Sequence, residues 1–588
     1  MLHVRTFASC LAVACAAAPL LPANALPARP RDLTQVRLRT LAHAGVRPNQ
    51  TSRGSIGSGN TTTADAPVPR PNESACVVTL FSGATFAAYS AQTFPYSPPS
   101  GCPGPYAKIV FNGNFSVSAG VQFDRTAQIE IGNAPIFFGT TPEPTPNLGP
   151  TWHVERDVTE DAALLASPST TEADIFNIVD PTYTGVISGT AFLQFYPADY
   201  SYPAPATPSV VLPFPGVPGG AQALDTGSSV LSATYTLPTN VTSAYMDIYA
   251  ENQSNDEFYY TCAPNNIASE LNTCGNGPFR ETEVAIDGMP AGDALIYPRV
   301  FTGGIDPYLW SPIPGVQTLE FVPSRVNLTP FAAILANGRP HTITLSVANA
   351  DNYFQAIATL YAYQDPGSTT VTGALTKDTL AANPQPSVVE RVNPNTLDGS
   401  IFVGSNQSYQ ISGYVNTSQG VVRTTVSSDL FFTNTQTYAN ESATTGTSTY
   451  DQVTTASTAV ATTVGKGRTV VQGETISFPI SLVSIYKTDD AGNGTYANTV
   501  VQRFIDNTSG GSIGGPATNV VDTVASTDTL ILAGGAFTGA DTGQKSSQTY
   551  VASDSLGDCY AQSIAAVDSI LTSVTKPPCI HDAARRAR

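Results

Sequence analysis

Cations are scarce in this chain: 27 Lys and Arg stand against 45 Asp and Glu in 588 residues, a formal net charge of -18. With no basic face to neutralise phosphates, nucleic acid is excluded as a partner. Histidine is scarcer still. Beyond the N-terminal leader only His43, His153, His341 and His581 remain, and none falls in HExxH or a similar zinc spacing. CxxC is absent too, so no metal site and no cofactor is expected. His341, opening a strand as Pro340-His341-Thr342, reads as a surface residue rather than a base. A Ser-His-Asp hydrolase is therefore disfavoured. The glycine pairs Gly510-Gly511 and Gly514-Gly515 lack the Lys and Ser/Thr of a phosphate loop. Long apolar runs are missing after the leader, and no membrane anchor is expected.

The leader itself has the anatomy of an export signal. Arg5 is followed by the apolar stretch from Phe7 to Leu21 and by Ala23-Asn24-Ala25, a small-x-small cleavage pattern. About 15 apolar residues are too few to span a bilayer comfortably. A secreted chain with residues 1–25 as signal peptide is the expectation. Six cysteines then remain in local pairs: Cys76 with Cys102, Cys262 with Cys274, and Cys559 with Cys579. An even count in an exported protein reads as disulfides, and proximity in sequence is the basis of this pairing. Asn-x-Ser/Thr sequons recur, among them Asn72, Asn114, Asn240, Asn252, Asn327, Asn406, Asn416, Asn440, Asn493 and Asn507. Occupied sites are expected on the surface.

Residues 26–70 are rich in Arg, Pro, Gly and Ser without strand periodicity, which suggests a pro-segment or disordered arm. From Cys76 onward short strands alternate with Gly, Pro and Asn, as in Thr342–Val347, where Ile343, Leu345 and Val347 alternate with Thr and Ser. The expected class is all-β: a first β-sandwich over 71–197, a Pro/Gly-rich connection over 198–232, and a second sandwich over 233–365. A Ser/Thr-rich antiparallel β region follows over 366–588. Helices are few; 329–336 predicts one or two turns, and 559–572 is the best longer candidate.

What remains for chemistry is carboxylates. Asp124, Glu143, Asp180, Asp256, Glu257 and Glu281 lie in loop-like, aromatic-rich stretches. Each alone reads as a solvated surface acid. Together they offer what hydrolysis at a sugar needs: a carboxylate base or nucleophile, a proton donor and aromatic platforms.

These stretches also carry a resemblance. Cys102-Pro103-Gly104-Pro105-Tyr106, Phe123-Asp124-Arg125, Thr140-Thr141-Pro142-Glu143-Pro144 and Trp152-His153-Val154-Glu155-Arg156-Asp157 resemble the plant and fungal peptide:N-glycosidase A family. So do Asn177-Ile178-Val179-Asp180-Pro181, Asp256-Glu257-Phe258-Tyr259-Tyr260, Gly275-Asn276-Gly277-Pro278-Phe279-Arg280-Glu281, Thr302-Gly303-Gly304-Ile305-Asp306-Pro307 and Leu309-Trp310. The matches run in order from about residue 74 to 365. The resemblance implies hydrolysis of the amide joining N-acetylglucosamine to asparagine in N-linked glycopeptides or glycoproteins, in acid and without a metal. It also implies two jelly-roll sandwiches with the site between them, as in the more distant bacterial peptide:N-glycosidase F, whose catalytic aspartate stands in Trp-Asp-Arg. Asp124 and Arg125 match that motif with Phe123 for tryptophan. Asp124 is thus the expected water-activating carboxylate, with Arg125 keeping it ionised. Glu257, Glu281 and Asp180 are candidates for further catalytic acids. Glu143, Trp152, Asp256, Asn276, Arg280 and Trp310 are candidates for substrate binding. The bacterial enzyme has a glutamate where this chain has Asn276, so either Asn276 orients substrate or a neighbouring acid supplies the second carboxyl. A non-catalytic glycan-binding protein on the same sandwiches is the rival reading.

Overall fold

The structure is a computed structural model, and it describes residues 54–442, 444–465, 467, 469–509 and 517–578. Strand after strand shows the two-residue period that hides one face. Ile187–Pro197 alternates buried and half-buried positions along nearly its whole length, and Thr518–Ala533 does so almost without a break.

The first eight strands are β1 (Cys76–Phe86), β2 (Gln92–Tyr96), β3 (Tyr106–Val117), β4 (Thr126–Ile131), β5 (Ala134–Thr140), β6 (Thr151–Asp157), β7 (Ser169–Ile175) and β8 (Ile187–Pro197). They form two four-stranded antiparallel sheets, ordered β1-β8-β3-β6 and β2-β7-β4-β5. That interleaving is a jelly roll. Its core holds Phe86, Ile109, Phe111, Ile129, Phe137, Leu193 and Phe195.

Strands β9 (Val210–Phe214), β10 (Gln222–Thr226), β11 (Leu231–Tyr235), β12 (Val241–Asn252), β13 (Glu281–Ile286), β14 (Met289–Leu295), β15 (Ser324–Asn327), β16 (His341–Val347) and β17 (Asp351–Gln364) build the second unit. The orders β10-β17-β12-β15 and β11-β16-β13-β14 repeat the same jelly-roll pattern, with β9 sharing an edge of β17. The stretch expected to be a connection therefore contributes two whole strands, β9 and β10, and the start of β11. Its prolines and glycines mark the turns between them, not a linker.

The C-terminal part is one eleven-stranded antiparallel sheet. Its strands are long: Gly420–Ala439, Thr445–Val464 and Thr469–Thr488 have 20 residues each. One face packs on the second sandwich through Ile411, Leu430, Phe478, Ile480, Val500 and Val524. Between these apolar rows stand buried amides that hold irregular backbone of the second unit. Asn434 Nδ2 donates to Tyr260 O (2.8 Å), Gln436 Nε2 to Cys262 O (2.8 Å), Gln502 Nε2 to Pro298 O (2.8 Å) and Gln544 Nε2 to Ser311 O (3.0 Å). Each such bond is worth about 1 kcal/mol net, and losing one leaves a buried carbonyl unpaired at about 1–3 kcal/mol.

Several expectations need correction. Residues 559–572 form strands, Cys559–Val567 and Ile570–Thr575, because a period-two pairing with the preceding strand outweighs helix propensity. Residues 54–70 are packed rather than disordered. Thr62 N–H donates to Pro312 O (2.9 Å), Ala64 N–H to Gln548 Oε1 (2.6 Å) and Val68 N–H to Glu155 Oε2 (3.0 Å), so this segment ties the C-terminal sheet to the first sandwich. His341 is buried, with Nδ1 2.6 Å from Asp287 and Nε2 3.0 Å from Asn337. Asn252 is fully buried and donates to Glu257 O and Arg299 O, so that sequon is closed in the folded chain. The turns expected over 329–336 are present as Thr329–Phe331 and Ala332–Leu335. Cys76–Cys102 and Cys262–Cys274 are disulfides. Cys579, like the signal segment, lies outside the described residues.

Candidate active site at the seam of the two sandwiches

The sandwiches meet through an aromatic cluster of Phe138, Tyr249, Phe301 and Phe321. Phe321 N–H donates to Phe138 O (2.8 Å), and Thr140 N–H donates to Thr318 O (3.0 Å). Tyr361 and Tyr363 hydroxyls donate across the seam to Asp161 (3.0 Å) and Glu160 (2.7 Å). At one end of this seam the carboxylates converge.

The β4–β5 hairpin brings the first two together. Its register sets Thr126 opposite Thr140, so Asp124 and Glu143, just beyond the paired ends, become neighbours. Asp124 N–H donates to Glu143 Oε2 (3.2 Å), and the backbone is clamped by Arg125 N–H to Thr141 Oγ1 (3.0 Å). The second sandwich supplies the rest. Thr302 Oγ1 donates to Thr141 O (2.8 Å), docking the 301–306 loop on the hairpin, and Gly303 N–H donates to Asp124 Oδ2 (2.9 Å). A β-carbon at Gly303 would collide with Glu143 Oε2 and lie 3.1 Å from Asp124 Oδ1, so a larger residue there would displace the Glu143 carboxyl. Glu251, at the end of β12, accepts from Thr126 Oγ1 (3.0 Å), and Glu257 follows in the turn after β12.

Burial raises all four carboxyls, but unequally. Asp124 is pushed up by burial and pulled back by the Gly303 N–H and the Arg125 cation. Glu143 is raised to about 8 by burial and the neighbouring Asp124 charge. Glu257 is raised to about 7 by burial and then by Asp124, and Glu251 to about 8 by burial. Asp124 thus has the strongest support for its ionised form, while burial, with the Asp124 charge added, favours the protonated form of the others. The Arg125 guanidinium packs over the Phe123 ring with Tyr183 5.5 Å away, and burial lowers it to about 10. Its Nε and Nη2 are buried without a protein acceptor. Among the described residues, no group of three or more His, Cys, Asp or Glu could hold a metal ion, and no helix is long and apolar enough to cross a membrane.

Asp124, Arg125, Glu143 and Glu257 are therefore brought together, whereas other sequence candidates stand elsewhere. Glu281 lies on β13, where burial and the charges of Asp293 and Glu283 raise it well above the usual range; Asp124 is not among its neighbours. Asp180 is exposed, and its Oδ1 accepts from the Thr182 and Tyr183 N–H groups (both 2.7 Å), so it shapes the turn that presents Tyr183. Asp256 and Arg280 form an ion pair (2.8 Å) with both side chains at 0% exposure. Asp256 also accepts from Asp351 N–H (2.6 Å), and Arg280 donates to Gly277 O and Phe279 O. The pair knits the 253–280 loop and cannot reach a substrate. Trp152 is in the first core against Phe115, and Trp310 is buried with Nε1 donating to Gly304 O (2.9 Å). Neither is a sugar platform; their large apolar surfaces are worth more inside. Asn276 is exposed but bonded to Asn265 and to Asp351 (3.2 Å), outside the carboxyl cluster. Gly303 and Glu251 had no assigned role. The Gly303-Gly304 doublet was the available signal, since paired glycines mark close approach of backbone to other groups.

Fold and site together define a tandem jelly-roll protein with a carboxyl-lined seam. A family model described as Peptide N-acetyl-beta-D-glucosaminyl asparaginase amidase A matches residues 65–375, and the chain belongs to that family. It is 30% identical over 360 residues to a Prunus dulcis protein named Peptide-N4-(N-acetyl-beta-glucosaminyl)asparagine amidase A. That match takes in 58% of this chain and 62% of the relative, less than two thirds of its length. Similar solved structures include PNGF-II (12% identity, TM-score 0.35, 49% of this chain and 66% of that one). Another is PNGase F from Flavobacterium meningosepticum (13% identity, TM-score 0.32, 50% of this chain and 96% of that one).

Proposed function

We propose that the protein is a secreted glycoamidase that hydrolyses the amide between N-acetylglucosamine and an asparagine side chain in N-linked glycopeptides or glycoproteins. The observation that carries this reading is the pairing, inside the family-matched region, of one donor-supported carboxylate with a second carboxyl held protonated near neutrality. Asp124 takes a proton from water as the water oxygen attacks the side-chain carbonyl carbon. The C–N bond then breaks, and Glu257 gives its proton to the departing nitrogen. One water is consumed, the peptide keeps aspartate, and the sugar leaves as a glycosylamine. Glu257 suits donation because no hydrogen bond to protein engages its carboxyl among the described residues, whereas Glu143 is engaged with the Asp124 backbone. Arg125 sits beside the charge that Asp124 carries and has N–H groups to spare for a substrate oxygen.

The test is mass spectrometry of a glycopeptide after incubation with wild type and with Asp124→Asn. Conversion of asparagine to aspartate by wild type alone is expected. Asparagine retaining one N-acetylglucosamine would make the protein a glycosidase cutting between sugars, and an unchanged glycopeptide would favour a binding protein. Full activity in Asp124→Asn would remove Asp124 from the reaction.

A further inference from the structure

The C-terminal sheet lies largely beyond the family-matched region, yet it faces the site. Its buried row Phe478, Ile480 and Leu482 continues along the same strand face, by the two-residue period, to Ser484 and Tyr486. Tyr486 pairs directly with Tyr496 on the next strand, with ring centroids 6.5 Å apart at 64°. Tyr450, opposite Leu482, joins them. These three tyrosines are half-buried and form one wall of a cavity of about 1040 Å³. The other wall includes Phe258 and Gly303. Gly303 is the residue whose N–H donates to Asp124, and Phe258 follows Glu257 directly, so the cavity begins where the carboxyl cluster ends.

The lining has the chemistry of a sugar site. Tyrosine faces pack against pyranose C–H groups while their hydroxyls stay polar. Most of the remaining lining is Ser, Thr, Asn and Gly, which can exchange hydrogen bonds with hydroxyls. Among the described residues, Asp351 and Glu441 are the charged ones of the lining, and no Lys, Arg or His lines it. An anionic ligand would meet two carboxylates and no cation. The volume lies at the upper end of the roughly 300–1,000 Å³ usual for small-molecule pockets, room for several sugar rings.

The geometry points to a binding subsite for the outer part of a neutral oligosaccharide, built by Tyr486, Tyr496 and Tyr450 and continuous with the carboxyl cluster. As a glycan subsite of an amidase it rests on the function proposed above, but its test does not. The probe is a neutral N-glycan released as the free oligosaccharide and titrated calorimetrically into the full chain. Micromolar-to-millimolar binding by wild type is expected, with affinity at least roughly tenfold weaker in Tyr486→Ala/Tyr496→Ala and retained in Tyr486→Phe/Tyr496→Phe. No binding by wild type, or equal affinity in wild type and the alanine variant while thermal melts confirm folding, overturns the subsite. A glycopeptide with the full glycan and one with the two innermost N-acetylglucosamines then report on turnover. The alanine variant should lower the ratio of their kcat/KM values about tenfold, mainly through KM. An unaltered ratio also overturns the proposal, whereas a wild type that binds the oligosaccharide but converts neither glycopeptide refutes the amidase reading alone.

Discussion

Replacing Gly303 by alanine tests whether the site depends on the close approach of Glu143 to Asp124. Gly303 has no left-handed backbone angle, so alanine adds volume without conformational strain. Its β-carbon would collide with Glu143 Oε2 and stand 3.1 Å from Asp124 Oδ1. Restoring ordinary contact requires Glu143 to retreat by about 1 Å, carrying its acceptor away from the Asp124 N–H. A misplacement of that size costs roughly 100-fold in rate, or about 2.7 kcal/mol of barrier. Gly304→Ala is the matched control. Its β-carbon would touch Phe301 O, Phe258 and Val300 at 3.2–3.3 Å but no carboxylate. The assay is steady-state conversion of a glycopeptide, followed by mass, with thermal melts of both variants. Gly303→Ala should lose about two orders of magnitude in kcat, and Gly304→Ala should lose mainly stability. Wild-type kcat in Gly303→Ala, or equal losses in both, would refute the claim that Glu143 holds Asp124 in its working position.

Two further outcomes are expected. Glu257, raised to about 7, is protonated in acid and loses its proton as pH rises through that value, so activity should fall above about pH 7. Glu257→Gln should lower kcat and flatten that alkaline limb; an unchanged limb would transfer the donor role elsewhere. Asp256→Asn or Arg280→Met should each destabilise the fold by about 3–5 kcal/mol in denaturant titrations, because each strands a buried charge, while the double variant should recover much of the loss. Additive losses would show that the two side chains are not coupled.

The sequence by itself determined the strand-rich class, because period-two alternation and frequent turn residues are local properties, visible in His341–Val347 or Ile187–Pro197 without any partner. It also singled out Asp124-Arg125. It could not decide which acids act together. Asp124 and Glu143 meet through hairpin register, while Gly303 is 179 residues from Asp124 and reaches it through the docking of two sandwiches. Nor could it separate Glu257, beside the Asp124 charge, from Asp256, locked on Arg280 one residue earlier. Trp152 and Trp310 looked like platforms but are core, and the tyrosines of the C-terminal sheet lay outside every motif. Burial and convergence depend on what packs from far away in the chain, so only the tertiary structure could assign these side chains to core, scaffold or site.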